Sequence, residues 1–113
     1  MKRFPSIKKN SDFQYIYRNG KSYANRLLVM YVVRSGGEAN SIGISVSKKV
    51  GNSVVRSRIT RLLRESYRLS ESKFLAGYDI VVIARASAKE ATYKEVESAL
   101  MHLLNKQKLI KSV

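Results

Sequence analysis

Lys48, Lys49, Arg56, Arg58, Arg61, Arg64 and Arg68 crowd into the stretch 45–68, read SVSKKVGNSVVRSRITRLLRESYR, against a single carboxylate, Glu65. Guanidinium groups present planar forks of donors that match phosphate oxygens bidentately, and ammonium groups add point charge. Like charge at this density repels itself and does not help a chain to fold. The chemistry it suits is the holding of a polyanion. A solvated helix face is the ordinary reading of charged residues, but here the arginines have almost nothing to neutralise them. Gly51-Asn52, just before the arginines, adds a second anion-friendly feature: a glycine at a helix start lets backbone N–H groups approach phosphate. It is also ordinary punctuation between a strand and a helix.

A second set of residues could act by stacking. Phe13 and Tyr17 share one face of a short amphipathic segment, and Tyr31 lies in an apolar run further on. Single-stranded nucleic acid is held by aromatic platforms inside positive grooves, while the same aromatics also serve as core material. Both readings stay open at this point. Catalysis by the polypeptide finds little support. Cysteine is absent, the single histidine, His102, falls on the polar side of its segment, and Glu95 and Glu97 do not share a helix face. No metal-ligand cluster and no catalytic residue is expected.

The whole chain carries the same bias. Its 113 residues bear a formal charge of +14 with 44% apolar residues, which suits one domain with a core and a phosphate-bearing partner. An anionic membrane surface is the rival, but no apolar run approaches the roughly 18 residues of a span. No lipidation motif is visible either. The start, MKRFPSIKKNSDF, lacks the apolar region of a secretory signal, and the missing cysteines fit a reducing cytoplasm.

These residues need elements to position them. Ser11 and Gln14 form a capping-box pattern ahead of Phe13, Ile16 and Tyr17 at helical spacing, with Gly20 as the stop. Residues 27–34 (LLVMYVVR) read as a strand and 35–40, with Gly36-Gly37, as a turn. Residues 41–47 (SIGISVS) alternate Ile42, Ile44 and Val46 with small residues, which predicts a second strand in an antiparallel hairpin with the first. Asn52 or Ser53 then caps a helix whose Val55, Ile59, Leu62 and Leu63 make one buried stripe. On a helical wheel Arg58, Arg61, Arg64 and Arg68 form a row opposite that stripe, and Arg56 borders it. Residues 78–85 (YDIVVIAR) are nearly continuous in apolar character, as in a central strand. Thr92 and Glu95 form another capping box, opening a last helix with Val96, Leu100, Leu103 and Leu104 inward. The sum is a single-domain α/β two-layer sandwich over 1–113, with a right-handed crossover as the physical default.

The segment SVSKKVGNSVVRSRITRLLRE closely resembles the signature of the bacterial ribonuclease P protein family, an Arg-Asn-Arg core after a Lys-Lys-x-Gly-Asn segment. The resemblance extends from SDFQYIYRNGKSYANR through DIVVIAR to TYKEVESALMHLL. It implies the order αβββαβα with a left-handed βαβ crossover, and an extra strand near 21–24. It further implies a subunit that joins a catalytic RNA to remove the 5′ leader of precursor tRNA, with Mg²⁺ held mainly by that RNA. In the family's terms Lys48, Lys49, Asn52, Arg56, Arg58, Arg61, Arg64 and Arg68 belong to the region contacting RNA phosphates. Phe13, Tyr17 and Tyr31, with Ser57 and Thr60, match the cleft that receives the leader. Ser57 stands where the family pattern has asparagine and Thr60 where lysine is frequent. The isolated protein is expected to be a cytoplasmic monomer. A general RNA-binding protein and a self-sufficient nuclease are the other classes the residues allow.

Overall fold

The protein was analysed as a computed structural model, which describes Ile7 and Lys9 through Lys111. Most of the N-terminal stretch considered for a signal, Pro5 included, lies outside the described residues. The element order is α1 (Asn10–Asn19), β1 (Lys21–Ala24), β2 (Leu28–Arg34), β3 (Ser41–Ser45), α2 (Ser53–Ser70), β4 (Tyr78–Ala84) and α3 (Tyr93–Lys106), with short 3₁₀ turns after α2 and β4. The expected order αβββαβα is therefore present, including the strand at 21–24.

The strands form one sheet in the order β1-β2-β4-β3, with β4 antiparallel to β2 and parallel to β3. The expected hairpin between residues 27–34 and 41–47 does not form. Burial decides this. Ile80, Val81 and Val82 are all fully buried, so β4 needs cover on both faces and takes the interior position between β2 and β3. The loop that looked like a hairpin turn ties instead to the entry of β4. Ser35 N–H donates to the Gly77 carbonyl at 2.8 Å, and buried Asn40 donates to the Leu75 carbonyl while accepting from Tyr78 N–H. Gly77 has φ +95°, a left-handed conformation that other residues rarely adopt.

Alternation sends Leu28, Met30, Val32, Ile42, Ile80 and Val82 to one face, where α2 and α3 cover them with Ile59, Leu63, Tyr67, Val96, Leu100, Leu103 and Leu104. This is the sandwich. Burial pushes the Tyr67 phenol up to about 12. The opposite face carries α1, which packs on β2 and β4. Across it the register lines up Tyr31, Val81 and Gly43 in one row. Ile16 is the buried residue of α1, while Phe13 and Tyr17 remain half-buried.

The caps follow sequence only in part. Asn52 accepts from Val55 N–H at 3.0 Å, and Thr92 and Glu95 make both bonds of a capping box. The box expected from Ser11 and Gln14 is absent, because the cap falls two residues earlier, at Lys9, and makes no side-chain bond. Gly20 ends α1 in an extended conformation, its N–H on the Ile16 carbonyl. A Cβ there would come within 2.5 Å of that oxygen, so close approach rather than φ demands glycine. Among the described residues no helix is long and apolar enough to cross a membrane.

Candidate nucleic-acid interface

The basic helix α2 is pinned first by its apolar side. Ile59, Leu63, Ser66, Tyr67 and Ser70 are its buried residues, so the stripe lies about 40° round from the sector read off the sequence, towards Arg56. Val55 and Leu62, expected inside, are only partly buried. Arg56 and Arg58 are separated by about 200° of helix and leave on opposite flanks.

One flank looks over the edge strand β3. Arg56, Ser57, Thr60, Arg61 and Arg64 line a groove of about 670 Å³ whose apolar side is Ile44 and Val46. Arg61 and Arg64 are exposed and Arg56 is half-buried, its Nε without a hydrogen-bond partner among the described residues. Thr60 turns inward to donate to the Arg56 carbonyl at 2.8 Å. Glu65 lines this groove too, and so does Ser53, which the sequence offered only as a cap. Its position three residues before Arg56 was the available signal.

The other flank faces α3. Arg58 Nη2 donates to the Ala91 carbonyl at 2.7 Å, just ahead of the last helix. The single row of guanidinium groups expected from the helical wheel is thus divided. Arg58 is committed to an internal carbonyl, and Arg68 Nη2 to Glu65 at 2.5 Å. That hydrogen bond, with the charge behind it, raises the Arg68 pKa further. A wheel shows which side is polar, but not which polar groups a neighbouring element supplies.

Ahead of α2, buried Val50 anchors a turn that throws Lys48 and Lys49 outward. Ser47 closes it: its carbonyl accepts from Val50 N–H, and its hydroxyl accepts from Lys49 N–H. Asn52 serves as the cap already described. Gly51 has a packing reason beside any role toward an anion, since a Cβ there would meet Val55 at 2.8 Å.

The aromatic set assembles on the other side of β3. Tyr17 meets Tyr31 edge-on with ring centroids 5.2 Å apart, and Phe13 lies 6.2 Å from Tyr17. Phe13 sits over Gly43, where a Cβ would come within 2.8 Å of its ring. The small residues alternating through β3 therefore make room for an aromatic from α1. Ile7 N–H also donates to the Ile42 carbonyl at 2.9 Å, so Ile7 lies against the same strand. The residues expected in one cleft occupy two places: Phe13, Tyr17 and Tyr31 under α1, Ser57 and Thr60 in the α2 groove. β3 is their shared boundary, with Gly43 facing the aromatics and Ile44 the arginines.

The comparisons with known proteins agree along nearly the whole chain. A family model described as Ribonuclease P matches residues 1–108. A ribonuclease P protein component from Alkaliphilus metalliredigens is 60% identical over 104 residues, covering 92% of this chain and 94% of that one. The Staphylococcus aureus RNase P protein structure superposes with a TM-score of 0.88 at 41% identity, over 96% of this chain and 100% of that one. The Thermotoga maritima RNase P protein gives 0.84 at 28% identity, over 97% and 100%. By sequence and by fold, the chain belongs to the ribonuclease P protein family.

Proposed function

We propose that this chain is the RNA-binding subunit of ribonuclease P and acts in the cytoplasm. In that role it assists a catalytic RNA in removing the 5′ leader from precursor tRNA. The observation that carries this reading is the pairing of chemistries across β3. A guanidinium-lined groove suits phosphates, and an aromatic cluster beneath α1 suits stacked, unpaired bases. Arg56, Arg61 and Arg64, with Lys48 and Lys49, hold the backbone of the RNA. Phe13, Tyr17 and Tyr31 receive the leader, with Ser57 and Thr60 lining its far side. Arg58 and Arg68 act at the margins, each already carrying one internal partner.

Hydrolysis belongs to the RNA in this reading. Among the described residues no group of three or more His, Cys, Asp or Glu side chains could hold a metal ion. The Mg²⁺ sits with the RNA, and the protein's +14 charge eases its binding by lowering the repulsion between RNA segments brought together.

The test is cleavage of precursor tRNA by the matching RNA alone, by the protein alone and by both, at low Mg²⁺. Cleavage is expected with both together and with neither alone. If an RNA that works at high Mg²⁺ gains nothing from the protein at low Mg²⁺, the proposal fails. Affinity that does not differ between precursor and mature tRNA would instead mark a general RNA binder.

A further inference from the structure

The edge of the sheet farthest from the α2 groove carries a second set of cations. β1 and β3 are the two edges of the order β1-β2-β4-β3, three strand spacings or about 14 Å apart. At the β1 edge a cavity of about 410 Å³ is lined by Asn25, Arg26, Lys94, Glu95, Ser98 and His102 over Leu27 and Ala99.

The corner is held rigidly. Asn25 Oδ1 accepts from Leu27 N–H and Leu28 N–H at 3.2 and 2.9 Å, which fixes the orientation of its amide. Its Nδ2 then donates to the Ala99 carbonyl at 2.9 Å and meets His102 Nδ1 at 3.2 Å. Both amide protons are used, so His102 Nδ1 is the acceptor and the ring proton resides on Nε2. Arg85 Nη1 donates to the Asn25 carbonyl at 3.0 Å, and the Ser87 hydroxyl donates to the Arg26 carbonyl. A lone imidazole that sequence gives no partner is thus oriented by Asn25 in the same cavity lining as Arg26 and Lys94.

Those cations are poorly neutralised. Glu95 is the carboxylate in the cavity lining, and its Oε1 already accepts from Thr92 N–H in the helix cap. Its contact with Arg26, at 3.8 Å between exposed side chains, is loose. Lys94, Ser98, His102 and Lys106 recur every four residues and are all exposed, so they continue the feature down one face of α3. At its far end Tyr23 has Lys21 Nζ at 5.4 Å and Lys106 Nζ at 5.8 Å from its ring centroid. Ammonium groups over that ring compete with a stacked base. The edge therefore offers charge and donors for a backbone, without the open aromatic platform found under α1.

We propose that the α3–β1 edge, centred on Arg26, Lys94 and His102, is a second phosphate-backbone site that takes a base-paired RNA segment, separate from the strand held along α2. The proposal rests on the reading above only in taking the partner to be RNA. The protein then bridges two RNA segments, and each site raises the local concentration of RNA for the other.

The test titrates the full-length protein with a short, fully paired RNA hairpin, following backbone amides and the His102 ring by NMR. The ring signals and the amides of residues 25–27 and 94–98 are expected to shift and saturate. The double variant R26A/K94A is expected to lose those shifts while keeping those of α2. It should also lower the salt dependence of hairpin binding, log K against log salt, by roughly 1.5–2, the slope of two phosphate contacts. A His102 ring unmoved at saturation, or a wild-type slope in the double variant, overturns the proposal. R61A/R64A supplies the converse. If that pair leaves precursor binding unchanged while R26A/K94A weakens hairpin binding, the α2 reading fails and the edge site stands. No shift anywhere overturns both.

Discussion

The two faces of the sheet are made by the same strands and have opposite fates. Towards α2 and α3, Leu28, Met30, Val32, Ile80 and Val82 are sealed, none more than 8% exposed. Towards α1, Val29, Tyr31 and Ile83 alternate with them and stay half-buried, because a single ten-residue helix covers only part of that surface. The sealed face buys stability. The open one leaves the aromatic surface of Phe13, Tyr17 and Tyr31 partly exposed. Alternation allows both because neighbouring residues point to opposite sides, so one face can be tuned without changing the other.

The sharpest way to break this comparison is to truncate each face in turn. Leu63→Ala, beneath α2, is expected to cost about 2–5 kcal/mol, since a fully buried leucine leaves a cavity as well as lost transfer energy. Denaturant midpoints measure it. A loss below about 1 kcal/mol would show that the sealed face is not where stability resides.

A pH titration sharpens the same side. Burial holds the Tyr67 phenol neutral up to about 12, against 10.0 for the free group. A raised folded-state value means that the unfolded chain ionises first as pH climbs. The neutral phenol therefore contributes fully below pH 10 and its contribution is lost between about pH 10 and 12, by roughly 3 kcal/mol. Tyr67→Phe should remove that part of the alkaline decline. Parallel curves for the two proteins would mean that Tyr67 ionises as readily folded as unfolded.

The open face should answer differently. Tyr17→Ala removes the ring that meets both Phe13 and Tyr31. It is expected to weaken binding of precursor tRNA by roughly 1–3 kcal/mol, the contribution of one stacked base, with mature tRNA little affected. A drop in folding stability matching Leu63→Ala, with unchanged precursor affinity, would reverse the roles assigned to the two faces.

Much of the fold could be read in advance. The helices around Phe13, Arg56 and Val96 follow from apolar spacing, and three of the strands from branched residues, alternation or a continuous apolar run, while the strand at 21–24 was implied only by the family resemblance. The caps at Asn52 and Thr92 are local hydrogen bonds between residues three apart, which a sequence displays directly. The strand order was not legible. The loop at 35–40 carries hairpin residues, and nothing within it announces that β4 enters between its flanking strands. The divided arginines were hidden for the same reason. The partner of Arg58 lies 33 residues away in a backbone carbonyl, a group every residue possesses. His102 likewise reads as an unattended surface imidazole until folding brings Asn25 to it from 77 residues away.

What the sequence determined by itself is the chemistry: the cations, the aromatics, the lack of cysteine and the periodicities that make each segment helix or strand. These depend on residue type and short spacing, where chain geometry alone sets which side chains share a face. Tertiary structure decided the grouping. It parted Arg58 from Arg61 and Arg64, set the aromatics and the arginines on opposite sides of β3, and joined His102 to the β1–β2 corner. Each of those outcomes hangs on a long-range contact, and long-range contacts are chosen by burial of the whole chain, not by any one segment.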